Sequence, residues 1–573
     1  MENTTAQVVL VRDINPGISY DGFVNSSFAD GLTEFNEQLF FTADDGETGN
    51  ELWISDGTTE GTQLLVDINL GMDNYGFYSG SDASGFTEFN EQLFFSASDE
   101  ETGNELWISD GTTEGTQLLV DIDPGISNYS GTGYGYSNSS YALGFTEFNE
   151  KLFFTADDGE IGNELWVSDG TTEGTQLLLD INPGTGDYGY ENGSYASDFT
   201  EFNGQLFFSA SDEENGRELW VSDGTAEGTQ LLLDINPGVS DYGYVNSSNA
   251  SDFTEFNGQL FFSANDGENG NELWVSDGTA EGTQLLVDIN PGTGTGYENG
   301  SYASDFTEFN GQLFFTARDD ENGNELWVTD GTTEGTQLLL DINPGTSIYS
   351  GYPASSYAYG FTEFDGKLYF SANDGETGNE RWVTDGTTEG TQLLVDINPG
   401  ISDFYYATNS YVSNLTVFDD QLFFTADNGQ TGRELFKLSF DDLGTNIIGT
   451  DNADNLTGSD ANEEIDGLKA NDTLSGSGGN DSLDGGKGKD SLSGGRGNDF
   501  LTGGKGKDIF EIASISGEDT ITDFELGRDL IGLSADLSYD DLAFSGSSIS
   551  NGDELLATLT GVNTEYLTSN DFV

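Results

Sequence analysis

The sequence predicts an all-β protein: an eight-bladed β-propeller, then a parallel β-roll, then a small β-rich C-terminal cap. Three observations carry that reading. A unit marked by the string ELW recurs at a near-constant period as far as residue 440. The two ends of that region hold complementary strand fragments. From residue 449 to 511 the composition turns to Gly and Asp in a nine-residue phase.

The repeat has Trp53, Trp107, Trp166, Trp220, Trp274, Trp327 and Trp382 at its best-marked position, with Phe436 in an eighth copy. Each unit reads as four short strands. In the fourth unit, strand a is SDFTEFN (197–203), and an Asn203-Gly204 turn, a strong hairpin signal, leads to strand b, QLFFSA (205–210). The acidic connection SDEENGR leads to strand c, ELWVSD (218–223); the turn GTAEGT leads to strand d, QLLLDI (230–235). The continuous apolar runs in b and d predict strands buried on both faces. Four antiparallel strands at this period are the blade of a propeller.

Closure follows from counting. Strand d motifs (DIN or DID) begin at Asp13, Asp67, Asp121, Asp180, Asp234, Asp288, Asp341 and Asp396, and eight a–b–c sets run from Leu39 to Leu422. The registers are offset: the chain opens on an orphan strand d (6–14) and the last a–b–c set lacks one. Joining them completes an eighth blade. An open array would have no reason to leave matching fragments at its ends. The ELWISDGT, ELWVSDGT and ELWVTDGT strings resemble those of bacterial ELWxxDGT-repeat proteins over residues 1–440.

In such a blade the a–b and c–d turns share one end. The other end gathers the acidic b–c loops, such as Asp44-Asp45-Gly46-Glu47, and long d–a loops rich in Tyr, Gly, Ser and Asn, such as 129–141 and 398–411. Those residue types make adaptable contacts, and loops on a rigid scaffold carry function, so that end is the candidate binding face. The Trp row reads as blade core and the DGT turns as hairpin chemistry. The b–c loops pair carboxylates with Asn and Gly but lack the full EF-hand spacing.

Composition excludes whole classes of function. The chain has 573 residues, 15 Lys plus Arg against 104 Asp plus Glu, a formal charge of −89, and neither Cys nor His. That removes Cys–His and Ser–His catalysis, the usual zinc sites and disulfides. So negative a field repels nucleic acid and anionic lipid. Aromatics at 12% separate it from acidic disordered chains. No apolar run approaches the ~20 residues of a membrane span, so no membrane insertion is expected. MENTTAQVVLVRD lacks a basic n-region and an apolar h-region, so it does not read as a Sec signal peptide.

Residues 449–511 divide into seven nine-residue units. GGKGKDSLS (485–493), GGRGNDFLT (494–502) and GGKGKDIFE (503–511) match G-G-x-G-x-D-x-U-x; GSGGNDSLD (476–484) is close; the units over 449–475 are degenerate, with Glu463 replacing the Asp in one. Leu456, Ile465, Leu474, Leu483, Leu492, Leu501 and Phe510 keep an apolar residue at position eight. Each unit predicts a Gly-rich turn and a very short strand whose apolar residue packs in an inward ladder. Glycine frees the turn backbone and exposes carbonyl oxygens; the Asp adds a carboxylate. Stacked turns then offer the many-oxygen shell that Ca²⁺ takes and the smaller, more hydrated Mg²⁺ does not.

These units resemble the hemolysin-type (RTX) calcium-binding repeats. The resemblance implies a Ca²⁺ cofactor with carboxylate ligands Asp481, Asp490, Asp499 and Asp508. It implies backbone carbonyl ligands from Gly486 and Gly488, Gly495 and Gly497, Gly504 and Gly506. Lys487, Lys489, Lys505 and Lys507 are expected to face outward and offset repulsion. The domains expected are 1–440 propeller, 441–511 roll, and 512–573 cap with export signal. The cap sequence DTITDFELGRDLIGLSADL (519–537) resembles the segment that follows many RTX rolls, and the ending NDFV resembles substrates of type I secretion machinery. The expected protein is extracellular or at the cell surface and calcium-dependent. It has no catalytic residues, and its propeller binds a polysaccharide or a surface protein. A carboxylate-based carbohydrate-active enzyme and a surface-layer or matrix component are the alternative readings.

Overall fold

The structure is a computed structural model of the whole chain. It describes residues 5–19, 24–71, 78–128, 135–185, 191–240, 243–291, 300–346, 351–400, 408–441, 447–459, 462–513, 517, 519–534, 537–539, 542–552 and 554–573. The tips of the long d–a loops, including 129–134 and 401–407, lie outside them. The chain divides into two compact units: Val8–Leu438, and Ser439–Val573 together with the residues up to Gln7.

The first unit is an eight-bladed propeller. Seven blades are four-stranded antiparallel sheets in chain order, and the eighth joins both ends of the region: Ser413–Phe418, Gln421–Asp427 and Arg433–Asp441 pair in turn, and Thr5–Arg12 is added beside the last. The ring is closed between the last and first blades, where Thr416 Oγ1 donates to Leu32 O at 3.3 Å.

The fourth blade shows how sequence becomes strand. Its strands are Ser197–Phe202, Gln205–Asp212, Gly216–Ser222 and Gln230–Leu233. Asn203 and Gly204 both have positive φ (52° and 74°), the primed turn that the Asn-Gly pair implies. Asp223 Oδ1 accepts the N–H of Thr225 at 2.9 Å, closing the DGT turn as expected. Strand b is buried over 206–210, with Leu206, Phe207, Phe208 and Ala210 at 0% exposure. Strand d departs from the expectation of burial on both faces: Leu231, Leu232 and Leu233 are half-buried. It is the outermost strand of its sheet, so it has a neighbour on one edge only. It also ends before Asp234, because the Asp-Ile pair turns away to meet a buried glutamate.

The seven tryptophans are 4–9% exposed and pack against the preceding blade; Trp220 joins Phe148, Phe153 and Ile181. They are core, as the pattern implied. The seam between blades seven and eight is built differently. Arg381 stands where the other blades have Leu, is 1% exposed, and sits 4.9 Å over the Phe424 ring. Its Nη1 donates to Ser371 Oγ at 2.8 Å, while Nε is buried without a hydrogen-bond partner. Tyr359 lies in the same cross-strand row and donates its hydroxyl to Val412 O at 2.6 Å.

The second unit begins as a roll of two parallel sheets fed alternately by successive nonapeptides. Ile447–Ile448, Glu464–Asp466, Ser482–Asp484 and Phe500–Thr502 stack in one; Asn455–Thr457, Thr473–Ser477, Ser491–Gly495 and Ile509–Ile512 stack in the other. Partners therefore lie two nonapeptides apart: Ile465 pairs with Leu483 and Leu483 with Leu501, Leu474 with Leu492 and Leu492 with Phe510. These six side chains are 0–1% exposed and form one core. Burying each is worth about 1.5–3 kcal/mol. Lys487, Lys489, Lys505 and Lys507 are exposed. The cap prolongs both sheets, through Asp519–Ile521 and Leu530–Leu533, and an antiparallel meander of Leu542–Ser545, Ser548–Asn551 and Glu554–Leu559 ends the first.

Candidate metal centre

The nonapeptide builds its turn around the Asp at position six. That side chain points into the roll, and its Oδ1 accepts a backbone N–H from the turn two nonapeptides earlier. Glu463 N–H donates to Asp481 at 2.7 Å, Asp472 to Asp490 at 2.8 Å, Asp481 to Asp499 at 2.7 Å, and Asp490 to Asp508 at 3.0 Å. All four carboxylates are 0–1% exposed. Each side of the roll thus holds a column of buried carboxylates, stacked at the strand spacing.

One oxygen of each carboxylate is used in this way. The other is not: Oδ2 of Asp472, Asp481, Asp490 and Asp499, and Oε2 of Glu463, are buried without a hydrogen-bond partner. Burial of an unpaired charge is among the largest costs in a protein interior. Desolvation, with repulsion from Asp499 and Glu463, pushes Asp481 up to about 7. Desolvation and repulsion from Asp508 and Asp472 push Asp490 up to about 6. Asp508 is raised by burial and by Asp529. Asp499 and Asp519 are both raised by burial, Asp519 also by repulsion from Asp499.

Glycines leave the space that these oxygens face. A Cβ on Gly485 would lie 2.9 Å from Asp490 Oδ2 and 3.0 Å from Gly503 O; one on Gly467 would lie 2.9 Å from Asp472 Oδ2 and 3.1 Å from Gly485 O. The carboxylate and the first-position carbonyl of the next turn therefore converge on a bare Cα. The six glycines expected as carbonyl donors occupy the same turns. Gly486 and Gly488 lie directly beneath Gly504 and Gly506, and Gly479 beneath Gly497, close enough that a Cβ on the upper residue would overlap the lower carbonyl. Gly495 stacks in the same way over the Ser477 carbonyl. Two of those carbonyls have other partners: Gly486 O accepts Lys505 N–H at 2.8 Å, and Gly506 O accepts Arg528 Nε.

The columns extend beyond the four aspartates expected as ligands. Asp472, in a degenerate unit, is 2% exposed and takes Asp454 N–H at 2.8 Å. Asp519 and Asp529, beyond the last nonapeptide, continue both columns by accepting from Asp499 at 3.2 Å and Asp508 at 3.1 Å. Their spacings of 20 and 21 residues break the nine-residue phase, which hides them. A weaker signal exists in DTITDF and GRDLIGL, where an acid again stands just ahead of an apolar strand position.

The donor set fits calcium. It is all oxygen, it is anionic, it carries orphaned lone pairs, and it is too sparse in side chains for a carboxylate cage: among the described residues no three acidic side chains converge on one point. Each ion here would be held by carboxylates of one column, Asp481 and Asp499 on one side or Asp490 and Asp508 on the other, together with glycine carbonyls. It would supply positive charge to a column that otherwise repels itself.

The propeller carboxylates are committed differently. In each b–c loop the Asp closes a turn; Asp45 Oδ1 accepts the N–H groups of Glu47 and Thr48, both at 2.8 Å. The Glu at the ELW position is 0% exposed in all eight blades and in seven of them clasps at least two backbone N–H groups; Glu380 takes one, from Ile397 at 2.8 Å, and the Ser410 hydroxyl at 2.8 Å, and its Oε1 has no partner. Glu164 accepts from Ile181 at 2.8 Å and Ser194 at 2.9 Å, and Glu434 from Ile14 at 3.0 Å and Ser27 at 2.9 Å, across the closure. Burial outweighs those bonds and pushes Glu51, Glu105, Glu164, Glu218, Glu272, Glu325, Glu380 and Glu434 up to about 7.

The residue after each clasped Ser holds positive φ: Phe28, Tyr141, Tyr195, Tyr302, Tyr357 and Tyr411 at 47–50°, with Asp82 and Asn249 in the other two blades. For a bulky side chain that conformation costs about 1–2 kcal/mol. It is pinned from behind, because the Ser and the aromatic residue both donate to one carbonyl: Ser194 at 2.9 Å and Tyr195 at 3.2 Å to Asn163 O, and Ser356 at 2.9 Å and Tyr357 at 3.3 Å to Asn324 O.

No curated protein sequence matches the chain. Among solved structures it is similar to a puromycin hydrolase mutant complexed with PGG (12% identity, 70% of this chain and 59% of that chain, TM-score 0.41). It is also similar to a structure from an analysis of two prolyl endopeptidases (8% identity, 76% and 57%, TM-score 0.42). A third is the β-propeller domain of the Trilobed protease from Pyrococcus furiosus, at 11% identity over 66% of this chain and 100% of that one, TM-score 0.35. The chain thus spans less than two thirds of the first two. A family of protein segments does match part of the sequence, over 448–483, 457–492 and 484–511; it is described as the RTX calcium-binding nonapeptide repeat in four copies. Residues 448–511, whose turns stack the orphaned carboxylates, carry RTX calcium-binding nonapeptide repeats.

Proposed function

We propose that the protein is exported, that its nonapeptide unit folds on calcium outside the cell, and that its propeller is a binding module for a surface protein or polysaccharide. The orphaned Oδ2 atoms of Asp472, Asp481, Asp490 and Asp499 carry the calcium part of this reading. Without a cation the columns cost more than a small apolar ladder returns; with one they become its strongest contacts. Where calcium is scarce the acidic unit repels itself and stays open, a form that type I secretion machinery could thread. Extracellular modules bind Ca²⁺ with Kd of about 10⁻⁴ to 10⁻³ M, matched to millimolar calcium outside the cell.

The test uses the full chain, stripped of metal and titrated with Ca²⁺ or Mg²⁺. Protease protection of residues 447–573 and equilibrium dialysis are both followed. Protection that appears with calcium and not with magnesium, together with bound calcium at saturation, is the expected result. Equal response to both ions, or no bound metal, removes the reading. Export is tested by co-expressing the chain with a type I exporter, with and without residues 512–573. Equal release of both forms removes that part.

A further inference from the structure

The d–a end of the propeller displays a row of exposed aromatic side chains. Phe28, Tyr141, Tyr195, Tyr302, Tyr357 and Tyr411 are 41–64% exposed, and each is held in a left-handed conformation that places it on the surface. The two blades with Asp82 and Asn249 at this position expose a tyrosine from the preceding loop instead, Tyr78 at 47% and Tyr244 at 76%. Every blade therefore presents an aromatic face at the same end of the ring. A structural role would bury the ring or use the Gly or Asn that tolerates this backbone. Strain repeated at an exposed position points to recognition.

The surroundings set the chemistry. A little after this position, on the first residues of strand a, blades four to six carry Asp198, Asp252 and Asp305, where four other blades have Gly and one has Asn414. Arg217 lies beside Asp198, donating Nη1 to Tyr195 O and Nη2 to Ser197 Oγ, both at 2.7 Å. Burial, with repulsion from the neighbouring Asp, pushes Asp252 and Asp305 up, although Asp252 accepts the backbone N–H of Asp305 and Asp305 that of Gly360 on the next blade. None of the three belongs to an ion pair among the described residues. Aromatic faces beside crowded carboxylates complement a cation that can lie flat on a ring: a guanidinium or an alkylammonium.

We propose that this aromatic–carboxylate crown is a docking site for Arg- and Lys-bearing polypeptide, with the strongest contacts on blades four to seven. The proposal rests on the reading of the propeller as a binding module and names its partner's chemistry. Tyr195, Tyr302 and Tyr357 supply ring faces, and Asp198 and Asp305 supply the counter-charge. The eightfold repetition lets a partner with several basic side chains bind with avidity.

The probe is a fluorescent peptide of alternating Arg and Gly, compared with its Ser-Gly and Glu-Gly counterparts and with dextran. Binding is measured on the full calcium-loaded chain at physiological salt, with protease protection of residues 447–573 recorded on the same samples. A chain this acidic attracts any polycation, so the deciding variants leave the charge unchanged. Asn249 shows that this backbone position accepts Asn, so Tyr195→Asn with Tyr302→Asn and Tyr357→Asn keeps the fold. The triple variant is expected to bind the Arg-Gly peptide at least tenfold more weakly, and the three Tyr→Phe changes to retain binding. Asp198→Asn with Asp305→Asn is expected to weaken it severalfold. Equal binding by the triple Asn variant marks bulk electrostatics and overturns the proposal. So does tighter binding of dextran or the Ser-Gly peptide, which would leave a binding module for another partner. Failure to bind any probe while calcium still protects 447–573 overturns the crown and leaves the calcium reading standing.

Discussion

Replacing Gly494 by Ala tests the cradle most directly. Gly494 does not have positive φ, so alanine meets no backbone penalty; what it meets is the Asp499 side chain, with Cβ 2.6 Å away and the carboxylate closer still. The carboxylate has to swing aside. That breaks its bond from Asp481 N–H at 2.7 Å, worth about 1.5–3 kcal/mol for a charged acceptor, and overpacking adds about 1–3 kcal/mol. The variant should lose roughly 3–5 kcal/mol. A calcium site at ten times its Kd returns only about 1.4 kcal/mol, so calcium that folds the native unit should not fold this one. The assay is the calcium midpoint for protease protection of residues 447–573 in the full chain. All seven tryptophans lie between Trp53 and Trp382, so their fluorescence reports separately that the propeller is intact. Ser482→Ala, at an exposed position of the same roll, is the control. An unchanged midpoint for Gly494→Ala would show that the glycine–carboxylate packing is not what makes the metal site.

Asp490→Asn keeps an acceptor for Asp472 N–H but removes the charge, and is expected to weaken calcium binding at its site on the order of tenfold; isothermal titration on the full chain checks it, and unaltered affinity and stoichiometry would remove Asp490 from the ligand set. The eight buried glutamates give the propeller an unusual pH response. Their folded pKa, raised to about 7, exceeds the unfolded value near 4.5, so the folded ring holds protons that the unfolded chain has already released. Stability is then greatest in mild acid and falls as pH rises from about 4.5 through 7, giving a tryptophan-monitored Tm lower by roughly 5 °C or more at pH 8 than at pH 5.5; a rise over that interval would refute the assignment. Arg381→Leu restores the residue of the other blades and removes a buried cation whose Nε has no partner. It should stabilise the seam by about 1–3 kcal/mol, and a lower Tm would show that the Phe424 and Ser371 contacts outweigh the desolvation.

The blade architecture was legible in the sequence because each of its signals is local. Asn203-Gly204, the DGT turns and the Leu-Phe-Phe runs specify hairpins without reference to the rest of the chain, and counting them gave the ring. Strand d was misjudged because a continuous apolar run cannot report whether its sheet has another neighbour. The clasping glutamates were overlooked beside their tryptophans; an acid repeated in all eight copies within an apolar strand was the available sign. The Asp481–Asp499 and Asp490–Asp508 columns followed from the phase of nine, whereas Asp519 and Asp529 did not, since the cap changes the step. Positive φ at Tyr195 and its counterparts could not be read at all. The sequence there is an ordinary Ser-Tyr-Ala, and the conformation is imposed by the carbonyl of Asn163, which belongs to another strand.

The eighth blade latches Ile14 to Glu434, a separation of 420 residues. Nearly the whole circumference must exist before the ring can lock. Until then seven finished blades wait with an open seam on either side, and the search that brings the ends together is a slow, long-range one. A short deletion at the start of the chain therefore removes more than one edge strand: it unlocks a ring whose other seven blades are unaltered.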